Sequence, residues 1–467
     1  MLLISDTGGG HRASARALAD ALEEQYPDQL TITIRDVWTE DCPWPFNKVV
    51  QSYMWMAKVP AIWRFFFFYS KFPVTRWFSQ RFANVRCKRA FRHAIERDDP
   101  DLIVSLHPCT QHIVIKVLRR LARRTRRRIP FVTVVTDLGG AHPMWFHPEA
   151  DRVFVPSENL KAQALRMGVR ESSIYQYGLP LRRDFWEPEK RSRQQVRADL
   201  GIEKDVPTVL VVGGGDGVGK LKEVAKSMGR ELGEGLDKAS QMVVICGKNE
   251  KVQAKLKAAP WPKGVHAHIL GFVSNMDEWM AAADLIVTKA GPGTIAEACT
   301  RSLPVMLSSF LPGQEKGNVD FVIDYGFGDY SNKPAKIAKT VTGWLRNPEE
   351  LAKRSKISGQ CSRPRATMQI AEVIGKKWLS ADVEKITGAL VTKLRANLTK
   401  IKTTKASEGA AKPKSLLLKE AQIAEALANL KEASQTLQEA QKQLRDAEMK
   451  SLSALKDQVA TSEEQPN

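Results

Sequence analysis

Hydrophobic positions along this chain fall mostly in short unbroken runs, and stretches with helical spacing separate them. Met1–Ser5, Leu30–Asp36, Leu102–Leu106, Phe131–Thr136, Arg152–Val155 and Ile174–Gln176 make one series of predicted strands. Thr208–Val212, Gln241–Cys246, His266–Leu270, Leu285–Thr288 and Val305–Leu307 make a second. Continuous Val/Ile/Leu runs mark strands buried on both faces of a parallel sheet, and the stretches between them supply crossover helices. Pro180, Pro188 and a charged stretch divide the series between Gly178 and Lys204. The pattern predicts an α/β chain of two doubly wound Rossmann-like domains, with ligands at the carboxyl ends of the strands.

The expected boundaries are residues 1–185 for the first domain, with an insertion at 42–97, and residues 186–350 for the second. Residues 351–395 read as helices that pack back across the cleft. Residues 396–415 are a Lys/Thr/Ala/Ser-rich linker, and 416–460 form an amphipathic helix. In that helix Leu416, Ile423, Leu430, Leu437 and Leu444 repeat every seven residues, and Ala426, Ala433, Ala440, Ala447 and Ala454 form a second row. Two readings stand: a coiled coil joining copies of the chain, or a lone amphipathic helix with a narrow seam.

Composition narrows the class. At 467 residues, 43% hydrophobic and 26% charged, the chain has the make-up of a soluble globular protein. No run of about 18 apolar residues marks a membrane span. The formal net charge is +19. Residues 396–467 hold 11 Lys/Arg and 10 Asp/Glu, so +18 falls on the body. Cys42, Cys87, Cys109, Cys246, Cys299 and Cys361 lack paired spacing, which fits reduced thiols and argues against a zinc site. No metal is expected. Met1–Ile4 reads as a strand short of its opening residues, so the lack of a targeting segment says little about location.

Two glycine-rich loops carry the chemistry. Ser5-Asp6-Thr7-Gly8-Gly9-Gly10-His11 follows the first strand, and Gly213-Gly214-Gly215-Asp216-Gly217-Val218-Gly219 opens the second domain. Glycine at such turns lets backbone N–H groups approach an anion at a helix start. His11 closes only the first loop. An imidazole there suits a general base near neutral pH, against the plainer reading of a capping or core histidine. Lys289-Ala290-Gly291-Pro292-Gly293-Thr294 is a further turn fit for a pyrophosphate, with Glu297 placed for ribose hydroxyls. Gln314 and Glu315 lie in a polar loop suited to sugar hydroxyls. No Walker-type lysine-serine motif is present, so ATP hydrolysis is not favoured.

Residues 42–97 hold 15 of the 35 aromatic residues and 11 Lys/Arg against a single acid, Glu96. Trp63, the Phe65–Phe68 run, Arg76 and Arg81 belong to it. Rings settle at headgroup level and cations seek anionic lipid, so this composition predicts an interfacial anchor or lipid-acceptor site. The alternative is a buried helical hairpin. The arginine run at 119–128 is a second basic feature. It lacks a nucleic-acid-reading motif, and no nucleic-acid partner is expected.

The Ser5–Ala15 segment, Thr136-Asp137-Leu138, the His142–His147 segment, Gly213–Gly219, Gly271–Met276, Lys289–Glu297 and Pro312–Asn318 together resemble the monogalactosyldiacylglycerol synthases of plants and algae. The likeness covers residues 1 to about 380. It implies a GT-B fold and inverting transfer of galactose from UDP-galactose to diacylglycerol, without a prosthetic group. It implies His11 as general base, with Gly9 and Gly10 toward the acceptor. Gly213, Gly214, Gly215, Gly217, Gly219, Gly291, Pro292, Gly293 and Thr294 would sit around the diphosphate, and Phe272 and Val273 around uracil. Glu297 would meet ribose, and Gln314 and Glu315 galactose. Trp145 would lie near the membrane, where phosphatidic acid activates, and the location would be peripheral at the chloroplast envelope membrane. Two positions depart from the family pattern: Leu181-Arg182-Arg183 keeps Arg182 but alters the turn behind it, and Asp216 replaces a glutamate. UDP-glucose as donor, or a noncatalytic lipid-binding adaptor on the same fold, are the competing readings.

Overall fold

The structure, a computed structural model, describes residues 1–7, 10–57, 59–213, 220–378 and 428. The chain divides into two compact units, Met1–Val373 and Ile374–Asn467. In the second unit residues 374–378 and 428 are described, and they are helical. The linker and heptad helix expected over 396–460 lie outside the described residues, Ala428 apart. So do Gly8, Gly9 and Gly214–Gly219.

The first unit opens with β1 (Leu2–Leu3), α1 (Gly10–Gln25), β2 (Ile34–Arg35) and α2 (Val37–Asp41). The aromatic insertion follows as α3 (Val49–Ala57), α4 (Pro60–Lys71) and α5 (Pro73–Asp98). Then come β3 (Ile103–Ser105), α6 (Gln111–Thr125), β4 (Phe131–Val134), β5 (Arg152–Val155), α7 (Glu158–Arg166) and β6 (Ile174–Gln176). The rear lobe runs α8 (Arg193–Asp199), β7 (Thr208–Val212), α9 (Leu221–Gly235), β8 (Ser240–Ile245), α10 (Glu250–Lys257) and β9 (Val265–Leu270). It continues as α11 (Met276–Ala282), β10 (Leu285–Lys289), α12 (Pro292–Thr300), β11 (Val305–Ser309), α13 (Lys316–Tyr325), β12 (Gly328–Tyr330), α14 (Pro334–Arg346) and α15 (Pro348–Gln360).

Among the described residues the strands form two six-stranded parallel sheets, in the orders β2-β1-β3-β4-β5-β6 and β12-β11-β10-β7-β8-β9. The buried runs have a direct cause. Leu210 and Val212 of β7 face one apolar core, and Val209 and Val211 face another on the opposite side of the sheet. Successive side chains point to opposite faces, and both faces are covered, so all four positions from Val209 to Val212 are apolar.

Each order reverses once. The front sheet turns between β1 and β3, the rear sheet between β7 and β10. A crevice opens beyond the strand ends wherever a doubly wound sheet reverses direction. The loops after β1 and β3 therefore face one another in front. Behind, the reversal sets the end of β10, which leads into the Gly291 turn, beside the end of β7.

Two sequence-based strands differ in extent. Only Ile34–Arg35 of the expected Leu30–Asp36 strand pairs, through Leu2 opposite Ile34. β12 was not expected: its Gly-Asp-Tyr sequence is short and half polar, as an edge strand allows. Residues 366–378 are helical. Their first turns brace the lobes, since Gln25 Nε2 of α1 donates to the Met368 carbonyl at 2.9 Å. The Thr367 hydroxyl accepts from Leu181 N at 2.8 Å and donates to Leu181 O at 3.0 Å.

Candidate active site

His11 lies in the first turn of α1, beyond the end of β1. Its Nδ1 meets Thr136 Oγ1 at 2.9 Å, at the end of β4. The His107 ring from the segment after β3 packs edge-on against it, with centroids 4.7 Å apart. The front-sheet reversal thus brings two histidines together. Backbone N–H of Cys109 donates to His107 Nδ1, so Nε2 carries the proton and donates to Thr7 Oγ1 at 3.2 Å. Beneath them is a buried polar network. Gln111 Nε2 donates to Ser105 Oγ at 2.8 Å, and Thr133 Oγ1 donates to Gln111 Oε1 at 2.7 Å. The His107 carbonyl accepts from Thr110 Oγ1 at 2.8 Å. Every member is paired, which rigidifies the floor of the site.

Burial pulls the His11 pKa down to about 4, against the raising effects of the Leu106 backbone and Asp6. Burial, then the neighbouring His11, pushes His107 well below the ordinary histidine value. Both imidazoles are neutral at physiological pH, and neutral is the form that accepts a proton. Asp6, in the same loop, is occupied by Arg12, whose Nε and Nη2 reach its carboxylate at 2.7 and 2.6 Å.

Asp137 follows Thr136 and is buried. It accepts from Trp145 Nε1 at 2.7 Å. Burial raises its pKa to about 7; the Trp145 hydrogen bond opposes this and the charge of Glu315 adds to it. Trp145 itself is fully enclosed in the front core, so it has no surface of its own for a lipid. The indole N–H of this residue is committed inward, to Asp137.

Glu315 belongs to the rear lobe, so the strand end that holds His11 also faces the loop after β11. The backbones touch there. A Cβ on Gly139 would stand 1.9 Å from the Gly317 carbonyl oxygen, and one on Gly317 would stand 2.6 Å from Gly140 N. Asn318 bridges the junction, accepting from Gly139 N at 3.0 Å and donating to the Ala290 carbonyl at 2.9 Å.

In the rear lobe Gly291 caps α12, with Pro292, Gly293 and Thr294 in its first turn, an N-terminus built for anions. Lys289 stands beside this turn and pairs with Glu315 at 2.6 Å. Glu315 Oε2 also accepts from Leu311 N at 2.7 Å, so this carboxylate is buried and already paired. Gln314 Oε1 accepts from the Tyr53 hydroxyl of the insertion at 3.3 Å. Glu297 of α12 is gripped by Arg182. Burial raises the Glu297 pKa while Arg182 pulls it down. Gly213 closes β7. Phe272 is exposed just past β9, and Val273 packs on the rear core.

The insertion is split by its helical period. In α4, Trp63 and Phe67 are 8% and 7% exposed, whereas Phe65, Phe66 and Phe68 are 64%, 47% and 53% exposed. Trp77, Phe78 and Phe82 of α5 are exposed too. Arg81 lies over the Trp77 ring at 5.9 Å and lines a groove of about 480 Å³ with Lys88 and Lys116. Arg76 lowers the pKa of His142, second to burial, and adds to the lowering of His112 after burial, Lys116, His147 and Arg119. The arginine run is largely paired: Arg119 meets Glu149, Arg127 meets Asp99 and Asp101, and Arg128 meets Asp151. No helix among the described residues is long and apolar enough to cross a membrane. No group of three His/Cys/Asp/Glu side chains there is placed to hold a metal ion.

His107, Tyr53 and Asn318 were not among the expected site residues. His107-Pro108 directly after a strand run was the available signal for the first. The other two act across lobes and leave no local trace.

Residues 11–181 match the family described as monogalactosyldiacylglycerol (MGDG) synthase, and residues 208–370 match the glycosyltransferase family 28 C-terminal domain. A probable chloroplastic monogalactosyldiacylglycerol synthase of Nicotiana tabacum is 38% identical over 373 residues, 79% of this chain and 69% of that one. Monogalactosyldiacylglycerol synthase 1 of Arabidopsis thaliana, also chloroplastic, is 36% identical over 387 residues, 81% of this chain and 71% of that one. Among solved structures, MurG of Acinetobacter baumannii superposes with a TM-score of 0.50 at 17% identity, covering 80% of this chain and 98% of that one. That likeness speaks to the fold, which is GT-B. With both lobes matched and the identity sustained across them, the chain belongs to the monogalactosyldiacylglycerol synthase family.

Proposed function

We propose that this chain transfers galactose from UDP-galactose to the free hydroxyl of diacylglycerol, inverting the anomeric carbon and releasing UDP. The observation that carries the proposal is the neutral His11 imidazole. It is held through Nδ1 by Thr136 on a strand end that abuts the donor-side loop. In this reading His11 removes the acceptor proton as the glycerol oxygen attacks the anomeric carbon and the bond to UDP breaks. The Gly291–Thr294 turn, Lys289 and the Gly213–Gly219 loop stabilise the charge growing on the departing diphosphate. Glu297 takes the ribose hydroxyls. Gln314 and Glu315 border the sugar.

The acceptor arrives from a membrane. The exposed rings of α4 and α5, interleaved with Arg64, Lys71 and Arg81, suit peripheral attachment to an anionic surface. The relatives are named chloroplastic, and this reading takes the chloroplast envelope as that surface.

The test offers labelled UDP-galactose and UDP-glucose with diacylglycerol vesicles, with and without phosphatidic acid. Labelled monogalactosyldiacylglycerol from UDP-galactose alone is the expected result. Label carried over equally from UDP-glucose would overturn the donor assignment, and no glycolipid from either would overturn the activity.

A further inference from the structure

α4 has an unusual distribution of apolar groups. A helix that is hydrophobic all round is normally buried all round, yet the Phe65, Phe66 and Phe68 side of this one is open. Its other side does not rest on the front lobe alone. Trp63 Nε1 donates to the Pro312 carbonyl of the rear lobe at 2.9 Å. Tyr53 of α3, stacked edge-on against Trp63 with centroids 4.9 Å apart, donates to Gln314 in the same loop. The Phe67 ring closes over Gly313. That residue sits at φ +85°, where a Cβ would lie 2.3 Å from Phe67 Cδ1. The loop is thus clasped from the insertion at three consecutive residues.

We propose that α4 couples lipid docking to donor binding: its outer rings rest on a lipid surface while its inner face, with Tyr53, holds the Pro312–Gln314 loop in the shape that receives the donor sugar. The argument rests on the reading of that loop as donor-binding. Isolated helices of about 12 residues are marginal in water, so the order of α4 depends on what it packs against. The inner clasp supplies part of that order, and burial of the outer rings in lipid supplies the rest. A helix ordered by one contact is cheaper to engage through the other, which makes the two bindings mutually favourable. Such coupling is reciprocal by thermodynamic necessity. Trp63, Phe67 and Tyr53 are positioning residues in this scheme.

Reciprocity gives the experiment. The UDP-galactose affinity of the full chain is measured by equilibrium dialysis, with and without phosphatidylcholine–phosphatidylserine vesicles free of diacylglycerol. Vesicle affinity is measured by sedimentation, with and without UDP-galactose. Both should rise by the same factor, about fivefold or more. A factor of one in both directions, with each ligand bound, would overturn the coupling and leave the donor reading intact. No UDP-galactose binding in either condition would overturn the donor reading itself, and the coupling with it. Trp63→Phe keeps a ring but removes the bond to Pro312. Its coupling factor should fall toward one and its KM for UDP-galactose on vesicles should rise several-fold with kcat kept, whereas full coupling in this variant would overturn the assigned route.

Discussion

Arg182 and Glu297 meet through a single carboxylate oxygen: Nε and Nη2 of the guanidinium both approach Oε1, at 3.2 and 3.1 Å. The other oxygen is thereby turned away from the arginine, which is itself held over the Phe185 ring at 5.3 Å. Burial favours the protonated acid at Glu297, and Arg182 counters it. Removing the cation leaves the carboxyl protonated to higher pH and less able to accept ribose hydroxyls. Arg182→Ala should raise the KM for UDP-galactose by about tenfold, the worth of one charge-assisted contact at a partly exposed site. Because a protonated Glu297 binds less well, the loss should be larger at pH 6 than at pH 8. A pH series of KM checks it, and Arg182→Lys should recover part of the affinity.

His11→Ala should keep UDP binding and lower kcat by about two to four orders of magnitude. Thr136→Val keeps the imidazole but removes the bond at Nδ1, worth about 1 kcal/mol, so roughly a fivefold fall in kcat follows. Steady-state kinetics with diacylglycerol vesicles separates the two. Near-normal turnover in His11→Ala would remove that residue from the mechanism.

The paired change Phe65→Ser with Phe68→Ser tests the outer face. Fully burying such a ring is worth about 1.5–3 kcal/mol and an interface recovers part of it. Loss of both should weaken vesicle sedimentation by on the order of a hundredfold. Neutralising Arg76 and Arg81 should weaken it only on anionic vesicles, and less so as salt rises. Equal binding of wild type and the Phe65/Phe68 variant would remove the face from membrane contact.

Six of the eight histidines, His11, His107, His112, His142, His147 and His268, are held below their ordinary pKa, chiefly by burial. Between about pH 6.5 and 4 the unfolded chain binds protons at these sites and the folded chain does not, so stability falls as pH drops through that window. Asp137 acts oppositely, since its folded pKa is raised to about 7, and it favours the folded state below that value. Histidines outnumber it. The thermal midpoint should fall steadily from pH 7 to pH 5, with proton uptake on unfolding measured in buffers of differing ionisation enthalpy.

Much of the fold was legible because buried parallel strands announce themselves. β7, β8 and β10 carry the unbroken apolar runs Val209–Val212, Met242–Ile245 and Leu285–Val287, since both faces of the sheet are covered. β12 was not legible, because three residues at an edge need no such pattern. His11 stood out because glycines surround it, and the end of a strand run pointed the same way. Its partner Thr136 follows another strand, 125 residues on, and adjacency there is set by sheet order. Composition leaves the aromatic insertion open between an interfacial surface and a buried hairpin. A period of 3.6 tells that Trp63 and Phe67 share a side, but not that this side meets a rear-lobe carbonyl.

The approach of Gly139 to Gly317 has a mechanical meaning. Side chains at a domain junction can swing aside, so an interface built from them yields by degrees. Here peptide planes meet with no room for a methyl group, and main chain does not give way. The contact acts as a hard stop: it limits how closely the two lobes can approach one another here, whereas travel in the opening direction meets only the Gly139–Asn318 hydrogen bond at this point.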